Sequence, residues 1–225
     1  MRFQFSTANQ IFFGPGTVKQ IAPLAVERGS RPLVLTGGSP ERASTLMDAL
    51  TAEGMEITRY PVTAEPTVDT ALAAVRNARR AECDLVIGIG GGSVIDTGKV
   101  VAALITNSGR LADYLEVIGE ARPLVHPSAP YIAIPTTAGT GSEVTRNAVL
   151  GSPQHRVKVS MRSSFKMPAL PVNEPDLSLS KQSANQPPTA LDAVTQSKKQ
   201  DATKHTKAET DINRRLAQTH LANTK

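Results

Sequence analysis

One stretch of the sequence, residues 84–99, reads Asp84-Leu-Val-Ile-Gly-Ile-Gly-Gly-Gly-Ser-Val-Ile-Asp-Thr-Gly-Lys99. Its apolar run, Leu85–Ile89, is typical of a strand that is buried on both faces of a sheet. Three glycines follow, and from Ser93 to about Thr106 the apolar residues recur at helical spacing. Ser93 and Asp96 fit a capping box at the start of that helix. A strand that passes through glycines into a helix predicts one unit of an α/β fold with a parallel sheet.

The same alternation continues on both sides of this stretch. The predicted strands are at residues 33–35, 55–60 and 131–134, and the predicted helices begin after the capping residues Ser39 and Thr67. Strands that alternate with helices form a parallel sheet with helices on both faces, so the predicted class is α/β and Rossmann-like. Phe3–Phe5 and Ile11–Phe13 predict an additional pair of strands at the edge of the sheet.

The composition of the 225 residues excludes several kinds of protein. A single cysteine excludes a disulfide-rich scaffold and a zinc site made of several cysteines. No apolar run is long enough to span a bilayer, and the first residues, Met1–Phe5, do not resemble a signal peptide. We therefore expect a soluble cytoplasmic protein with no membrane partner.

The net charge of +5 is unevenly distributed along the chain. Residues 1–180 contain 17 basic and 16 acidic side chains, whereas residues 181–225 contain 8 and 4. Basic grooves that bind single-stranded nucleic acid combine their charges with aromatic side chains. All eight aromatic residues lie at or before Phe165, outside the basic segment. We therefore expect no nucleic-acid partner.

The glycine turn Gly90–Gly92, with Ser93, is the first candidate binding element. Glycines let a ligand approach the backbone closely, and the first N–H groups of the following helix suit a phosphate. The stretch is neither a P-loop nor a dinucleotide fingerprint, because Ser93 stands where each of those motifs needs a glycine. The alternative interpretation is a tight strand–helix turn that binds no ligand.

Two further loops follow predicted strands, and the carboxyl ends of parallel strands lie at one edge of a sheet. The loop Thr36–Ser39 contains Gly37 and Gly38, and Arg42 lies one turn into the next helix. Arg42 is either a ligand for an extra phosphate or a solvated surface charge. The loop Pro135–Glu143 offers hydroxyl groups that can bind a pyrophosphate or a ribose, namely those of Thr136, Thr137, Thr140 and Ser142.

Two motifs together resemble the iron-containing (group III) alcohol dehydrogenases. They are Gly90–Lys99 and Pro135–Thr145, and a looser similarity continues to Gln196. The resemblance implies an NAD(P)-binding α/β domain at residues 1–175. It also implies that residues 176–225 are the start of a helical metal-binding domain that is not completed. Because this segment is polar, a disordered tail is the alternative.

The resemblance also implies a set of cofactor-binding residues. NAD-preferring relatives often carry an aspartate at the position of Gly37, where this chain has no carboxylate. We therefore expect NADP to be accepted at least as well as NAD. A homodimer through the N-terminal edge strands is a further expectation. The implied cofactor-binding residues are Gly37, Gly38, Ser39, Gly90, Gly91, Gly92, Ser93, Asp96, Thr136, Thr137, Thr140, Ser142 and Lys158.

The metal site of the family is the part that this sequence matches least. The resemblance implies a divalent metal, iron or zinc, bound by one aspartate and three histidines, which polarises the alcohol oxygen for hydride transfer. Asp192 matches the aspartate, but Gln196 stands at the first histidine position, and no match to the other two follows. The hypothesis is a truncated NAD(P)-dependent, metal-dependent alcohol dehydrogenase for a small alcohol or aldehyde, weak or inactive alone. The alternative is a non-catalytic NAD(P)-binding module.

Overall fold

A six-stranded parallel sheet lies at the centre of the structure, a computed structural model that describes residues 10–137, 139–163, 168 and 170–179. Its strands are β1 (Phe12–Phe13), β2 (Pro32–Thr36), β3 (Thr58–Pro61), β4 (Leu85–Gly90), β5 (Tyr131–Pro135) and β8 (Leu170–Asn173). Every pairing in the sheet is parallel, in the order β1-β8-β5-β4-β2-β3. A separate antiparallel hairpin consists of β6 (Asn147–Ser152) and β7 (Val157–Arg162).

Helices cover both faces of the parallel sheet. They are α1 (Ile21–Val26), α2 (Ser44–Ala52), α3 (Val68–Arg80), α4 (Gly92–Thr106), α5 (Leu111–Tyr114) and α6 (Pro175–Leu179), with short 3₁₀ helices at Thr17–Gln20, Pro40–Ala43 and Ser142–Val144. Successive side chains of β2 point to opposite faces. Leu33 and Leu35 belong to the core that includes α3 and α4, whereas Val34 belongs to the core that includes α1 and α2. The sheet is therefore buried on both sides.

The predicted fold class is confirmed, and β2, β3, β4 and β5 lie within a few residues of the predicted strands. Thr67 caps α3 as predicted, because its Oγ1 accepts a hydrogen bond from the N–H of Thr70 at 3.1 Å. Ser39 occupies the N-cap position before Pro40, but its side chain makes no capping bond. The first turn after it is a 3₁₀ helix, and α2 begins only at Ser44.

The strand β8 is not predicted by the sequence. It is four residues long and contains Pro171, and proline in the interior of a sheet argues against a strand. The strand forms because Leu170 and Val172 are completely buried against the sheet, where Leu170 pairs with Ile132 of β5. On its other side β8 pairs with β1, which places β1 at the sheet edge as expected.

Several predictions fall outside the residues that the structure describes. They concern the strand Phe3–Phe5, the second domain beyond residue 179, and the metal ligands Asp192 and Gln196. The domain boundary between residues 175 and 176 also stays a prediction. Among the described helices, none is both long enough and apolar enough to cross a membrane.

Candidate functional site

A cavity of about 310 Å³ lies at the carboxyl edge of the parallel sheet. Four loops meet there, one after each of β2, β3, β4 and β5, as the parallel arrangement requires. The residues that line the cavity are Gly37, Gly38, Ser39, Arg42, Val62, Thr63, Ala64, Glu65, Ile89, Gly90, Gly91, Ser93, Val94 and Thr136. The structure thus brings three separately predicted loops to one place.

Seven of the thirteen predicted cofactor-binding residues line this cavity, and Gly92 is among the six that do not. Thr137 and Thr140 do not line it but lie close by. The Thr137 Oγ1 is 3.5 Å from the point that a Cβ on Gly91 would occupy, and the Thr140 Cγ2 is 4.0 Å from that of Gly92. The members that line the cavity directly are Gly37, Gly38, Ser39, Gly90, Gly91, Ser93 and Thr136.

The glycines at and beside the cavity differ in whether the surrounding atoms leave room for a side chain. A Cβ on Gly90 would collide with the side chain of Val94, so packing explains that residue. A Cβ on Gly38 would meet no heavy atom within 4 Å, and Cβ atoms on Gly91 and Gly92 would make only ordinary contacts. None of these three has a positive φ. Neither packing nor backbone conformation therefore requires glycine at Gly38, Gly91 or Gly92. Open space beside these residues is what a site needs if a bound group is to lie against the backbone.

The start of α4 supplies hydrogen-bond donors at the same cavity. Gly91 occupies the N-cap position, and its carbonyl accepts from the N–H groups of Val94 and Ile95 at 3.0 and 3.1 Å. The N–H groups of Gly92 and Ser93 have no acceptor among the described residues. The capping box predicted for Ser93 and Asp96 is therefore wrong, because the N-cap of α4 is Gly91, two residues before Ser93. Free N–H groups at a helix start are suited to an anion such as a phosphate.

Asp96 and Ser142 do not line the cavity but bind each other behind it. The Ser142 hydroxyl donates to the Asp96 Oδ1 at 2.6 Å, and the Val149 N–H donates to the Asp96 Oδ2 at 3.2 Å. The Asp96 carboxylate is thus occupied by groups from the loop after β5 and from β6. Asp96 lies five residues after the N-cap Gly91, past the position of a capping box, and its carboxylate binds these groups instead.

Lys99 is a buried residue whose role the sequence analysis missed. Its side chain is 0% exposed, and its Nζ lies 3.2 Å from the Asp96 Oδ1. Burial lowers the pKa of Lys99 below its ordinary value, and the Asp96 carboxylate counteracts this effect. The sequence does contain a signal for this role, because Lys99 directly precedes the apolar run Val100–Leu104 and lies three residues after Asp96, the spacing of a helical ion pair.

Lys158 is exposed on β7 and forms an ion pair with Glu65. Glu65 lines the cavity, so the pair places Lys158 at its rim. Glu65 and Thr63 were not among the predicted site residues. They could have been found from the sequence, because they follow the predicted strand 55–60 and its carboxyl end lies at the same sheet edge.

The metal site is not represented in the described part of the structure. Those residues include no group of three His, Cys, Asp or Glu side chains that could hold a metal ion. The described residues therefore do not fit the metal of the family, and the prediction of a metal ion rests on Asp192 and Gln196 alone.

A glycine-lined cavity at the carboxyl edge of a parallel sheet lies where open α/β sheets bind their ligands. Residues 8–175 match the family model described as iron-containing alcohol dehydrogenase, and the chain belongs to this family. The 4-hydroxybutyrate dehydrogenase of Cupriavidus necator is 34% identical over 166 residues, which are 73% of this chain and 43% of that protein.

Solved structures show the same fold. The crystal structure of a 1,3-propanediol oxidoreductase has a TM-score of 0.74 and 28% identity, and the match covers 80% of this chain and 48% of that one. The sulfoacetaldehyde reductase of Bifidobacterium kashiwanohense, solved in complex with NAD+, has a TM-score of 0.71, 26% identity and the same coverage. The chain spans about half the length of the relatives that it matches.

Proposed function

We propose that the chain binds NAD(P) in the cavity at the carboxyl edge of the sheet, as the cofactor-binding part of an alcohol dehydrogenase. The observation that carries this proposal is the combination of open space beside Gly38, Gly91 and Gly92 with the free N–H groups at the start of α4. The NAD+ complex of the related sulfoacetaldehyde reductase supports it. The proposed reaction interconverts a small alcohol with its aldehyde or ketone.

Different loops of the chain would bind different parts of the cofactor. The N–H groups of Gly92 and Ser93 would bind the pyrophosphate, and the hydroxyl groups of Thr136 and Thr137 would support it from the adjacent loop. The loop after β2, with Ser39, would hold the adenosine ribose. When bound, the nicotinamide supplies or accepts the hydride. Orienting the cofactor and keeping water from it are the contributions of these loops.

The cavity favours NADP at least as much as NAD. No carboxylate stands at Gly37 or Gly38, so nothing in that loop repels a 2′-phosphate. Arg42 lines the cavity, where its guanidinium could meet such a phosphate. Its Nη1 donates a long hydrogen bond, at 3.4 Å, to the carbonyl oxygen of Leu177, and the other donors of its guanidinium have no acceptor in the part of the chain that the structure describes. Glu65 also lines the cavity, but its carboxylate is paired with Lys158.

Calorimetric titration of the purified chain with NADPH, NADP+, NADH and NAD+ tests the binding proposal. We expect saturable binding of both cofactors, with NADP(H) bound at least as tightly as NAD(H). Clearly tighter NAD(H) binding contradicts the preference, and the absence of binding contradicts the function. A turnover assay with short alcohols, with and without added iron or zinc, then separates a dehydrogenase from the alternative, a non-catalytic NAD(P)-binding module.

Assembly and location are further parts of the proposal. The strand β1 lies at the sheet edge, where Phe13 is 71% and Ile11 is 48% exposed, and these side chains would lie in the interface of a homodimer. The proposed location is the cytoplasm, and no disulfide within the chain is needed there, because Cys83 is its single cysteine and is buried.

A further inference from the structure

A buried polar cluster joins α4 to two other parts of the chain. Its centre is the Lys99 ammonium group, which has four acceptors within hydrogen-bond distance. They are the Asp96 Oδ1 at 3.2 Å, the Ser142 Oγ at 3.1 Å, the Thr145 Oγ1 at 3.1 Å and the Asn147 carbonyl oxygen at 2.6 Å. An ammonium group has three N–H donors, so these acceptors satisfy it fully.

The cluster contains both charges of a pair and is hydrogen-bonded on every side. The Asp96 side chain is 15% exposed, and it accepts from Lys99, from the Ser142 hydroxyl and from the Val149 N–H. A buried charge without such partners would be strongly unfavourable. The pair therefore requires the loop and β6 to lie against α4 as they do, and it fixes their position.

The loop that Lys99 holds is the loop that carries the hydroxyl groups at the cavity. Ser142 and Thr145 are near its far end, and Thr136 is at its beginning, where the Thr136 N–H donates to the Gly90 carbonyl at 2.9 Å. The loop is thus attached at two points, one on β4 and one on Lys99. Lys99 itself lies seven residues after Gly92, roughly 10 Å along the helix axis from the anion-binding turn.

We propose that Lys99 is a positioning residue for the cofactor: through Ser142 and Asp96 it holds the loop after β5 so that Thr136 and Thr137 lie beside the glycine turn. Lys99 does not touch the cavity, so its effect on the cofactor passes through the loop. This inference rests on the proposed function and adds a specific residue and a route to it.

The first test compares cofactor affinity with stability. In Lys99→Met, we expect NADPH affinity to fall at least tenfold while the far-UV circular dichroism shows a folded chain. Asp96→Asn/Lys99→Met removes both charges and leaves no unpaired carboxylate, so it serves if the single variant does not fold. Tyr131→Phe is the matched control, because it removes a buried hydrogen bond to the same helix, at the Ile95 carbonyl, and removes no hydrogen bond to the loop. The control is expected to lose stability and to keep its NADPH affinity.

The second test asks whether Lys99 acts through Ser142. Ser142→Ala alone should weaken NADPH binding about threefold, and adding it to Lys99→Met should weaken binding no further, within twofold. Independent effects would instead multiply. Hydrogen exchange without cofactor provides a readout that does not depend on binding: the amides of residues 139–147 should exchange faster in Lys99→Met and not in Tyr131→Phe.

The outcomes distinguish this proposal from the proposed function. If the unaltered chain binds NADPH and the folded Lys99 variants bind it as tightly, the positioning role is wrong and the function stands. Multiplying effects of Lys99→Met and Ser142→Ala would also overturn the role. If the unaltered chain binds neither NADPH nor NADH, the proposed function is wrong and the positioning role is wrong with it.

Discussion

Gly90 and Gly91 are neighbours in the sequence, but only at Gly90 does the packing of the structure exclude a side chain. At Gly90 the demand is packing, since a Cβ would collide with Val94. At Gly91 the nearest atom to such a Cβ is 3.5 Å away, and the residue has a φ of −74°, which any amino acid can adopt. The motif of three glycines therefore combines a packing requirement at Gly90 with the proposed binding role of Gly91.

This difference gives a prediction for single alanine substitutions. Gly91→Ala and Gly38→Ala are expected to leave the thermal unfolding midpoint nearly unchanged and to reduce NADPH affinity about tenfold, because the new methyl groups occupy the space of the cofactor. Differential scanning fluorimetry and fluorescence titration measure the two quantities.

Gly98→Ala is the matched control for these variants. A Cβ there would lie 2.5 Å from the Tyr131 hydroxyl oxygen, inside the core. We expect it to lower the free energy of unfolding by about 1–3 kcal/mol, as overpacking does. Equal stability losses at 91 and 98 would contradict the distinction between the two kinds of glycine.

Arg42 gives a second prediction at the residue scale. Arg42→Gln should reduce NADPH affinity roughly tenfold or more, because a charged hydrogen bond to a 2′-phosphate contributes about 1.5–3 kcal/mol. NADH lacks that phosphate, so its affinity should change less than twofold. The ratio of the two dissociation constants is the measurement. An equal loss of affinity for NADPH and NADH would show that Arg42 supports the loop after β2 and does not bind the 2′-phosphate.

At the scale of elements, Tyr131 connects β5 with α4. Its phenol is buried and donates a hydrogen bond to the Ile95 carbonyl at 3.0 Å. Burial raises the pKa of Tyr131 well above its ordinary value, and the carboxylates of Asp96 and Glu143 raise it further. The phenol therefore stays protonated in the folded chain when an exposed tyrosine would ionise.

The alkaline stability of the protein follows from this pKa. In the unfolded chain Tyr131 ionises near pH 10, while in the folded chain it does not, so the unfolded state binds fewer protons above that pH. The free energy of unfolding should consequently fall as the pH rises above about 10. Denaturant unfolding between pH 8 and 11 measures the fall. Tyr131→Phe should be less stable at pH 8 and show a smaller decline; an identical decline in both chains would disprove the assignment.

The sequence predicts the regular elements well where they are long and follow one pattern. Leu85–Ile89 is a continuous apolar run, and Thr67 precedes a clear helical pattern, so β4 and α3 are recognised from local signals alone. The strand β8 has no such signal, because Pro171 lies inside it and its stability comes from partners about 40 residues away in the sequence. The cluster around Lys99 was missed for the same reason, since three of its four acceptors lie 43 to 48 residues further along the chain.

For the whole molecule, the parallel sheet explains most of the site. Once the strands are parallel, the loops after β2, β4 and β5 must meet, and the structure confirms that they do. What topology does not reveal is which polar groups face the cavity. Ser142 and Asp96 were predicted to face the cavity and instead bind Lys99. A buried ammonium group without acceptors would be strongly unfavourable, so these two side chains are needed at Lys99.

The proposed homodimer is also a property of the whole molecule. The strand β1 pairs with β8 on one side, and its other side pairs with no described strand. We expect Phe13→Asp to shift the mass measured by light scattering from dimer to monomer, because a charge would be buried in the interface. Val117→Asp is the control, since Val117 is 82% exposed and lies in the loop after α5, away from β1. A monomeric unaltered chain would contradict the proposal.

The ring of Tyr131 fills space on two elements at once. Its hydroxyl oxygen lies 2.6 Å from the point that a Cβ on Gly88 would occupy and 2.5 Å from that of Gly98. Positions 88, 98 and 131 are therefore a single unit of substitution, although the sequence separates them widely. In a library that randomises all three positions, folded chains should have one of two combinations. Either positions 88 and 98 are both glycine and position 131 carries a large ring, or positions 88 and 98 carry small side chains and position 131 a small residue. Mixed combinations should be absent, so these three positions are expected to vary together among sequences that share the fold.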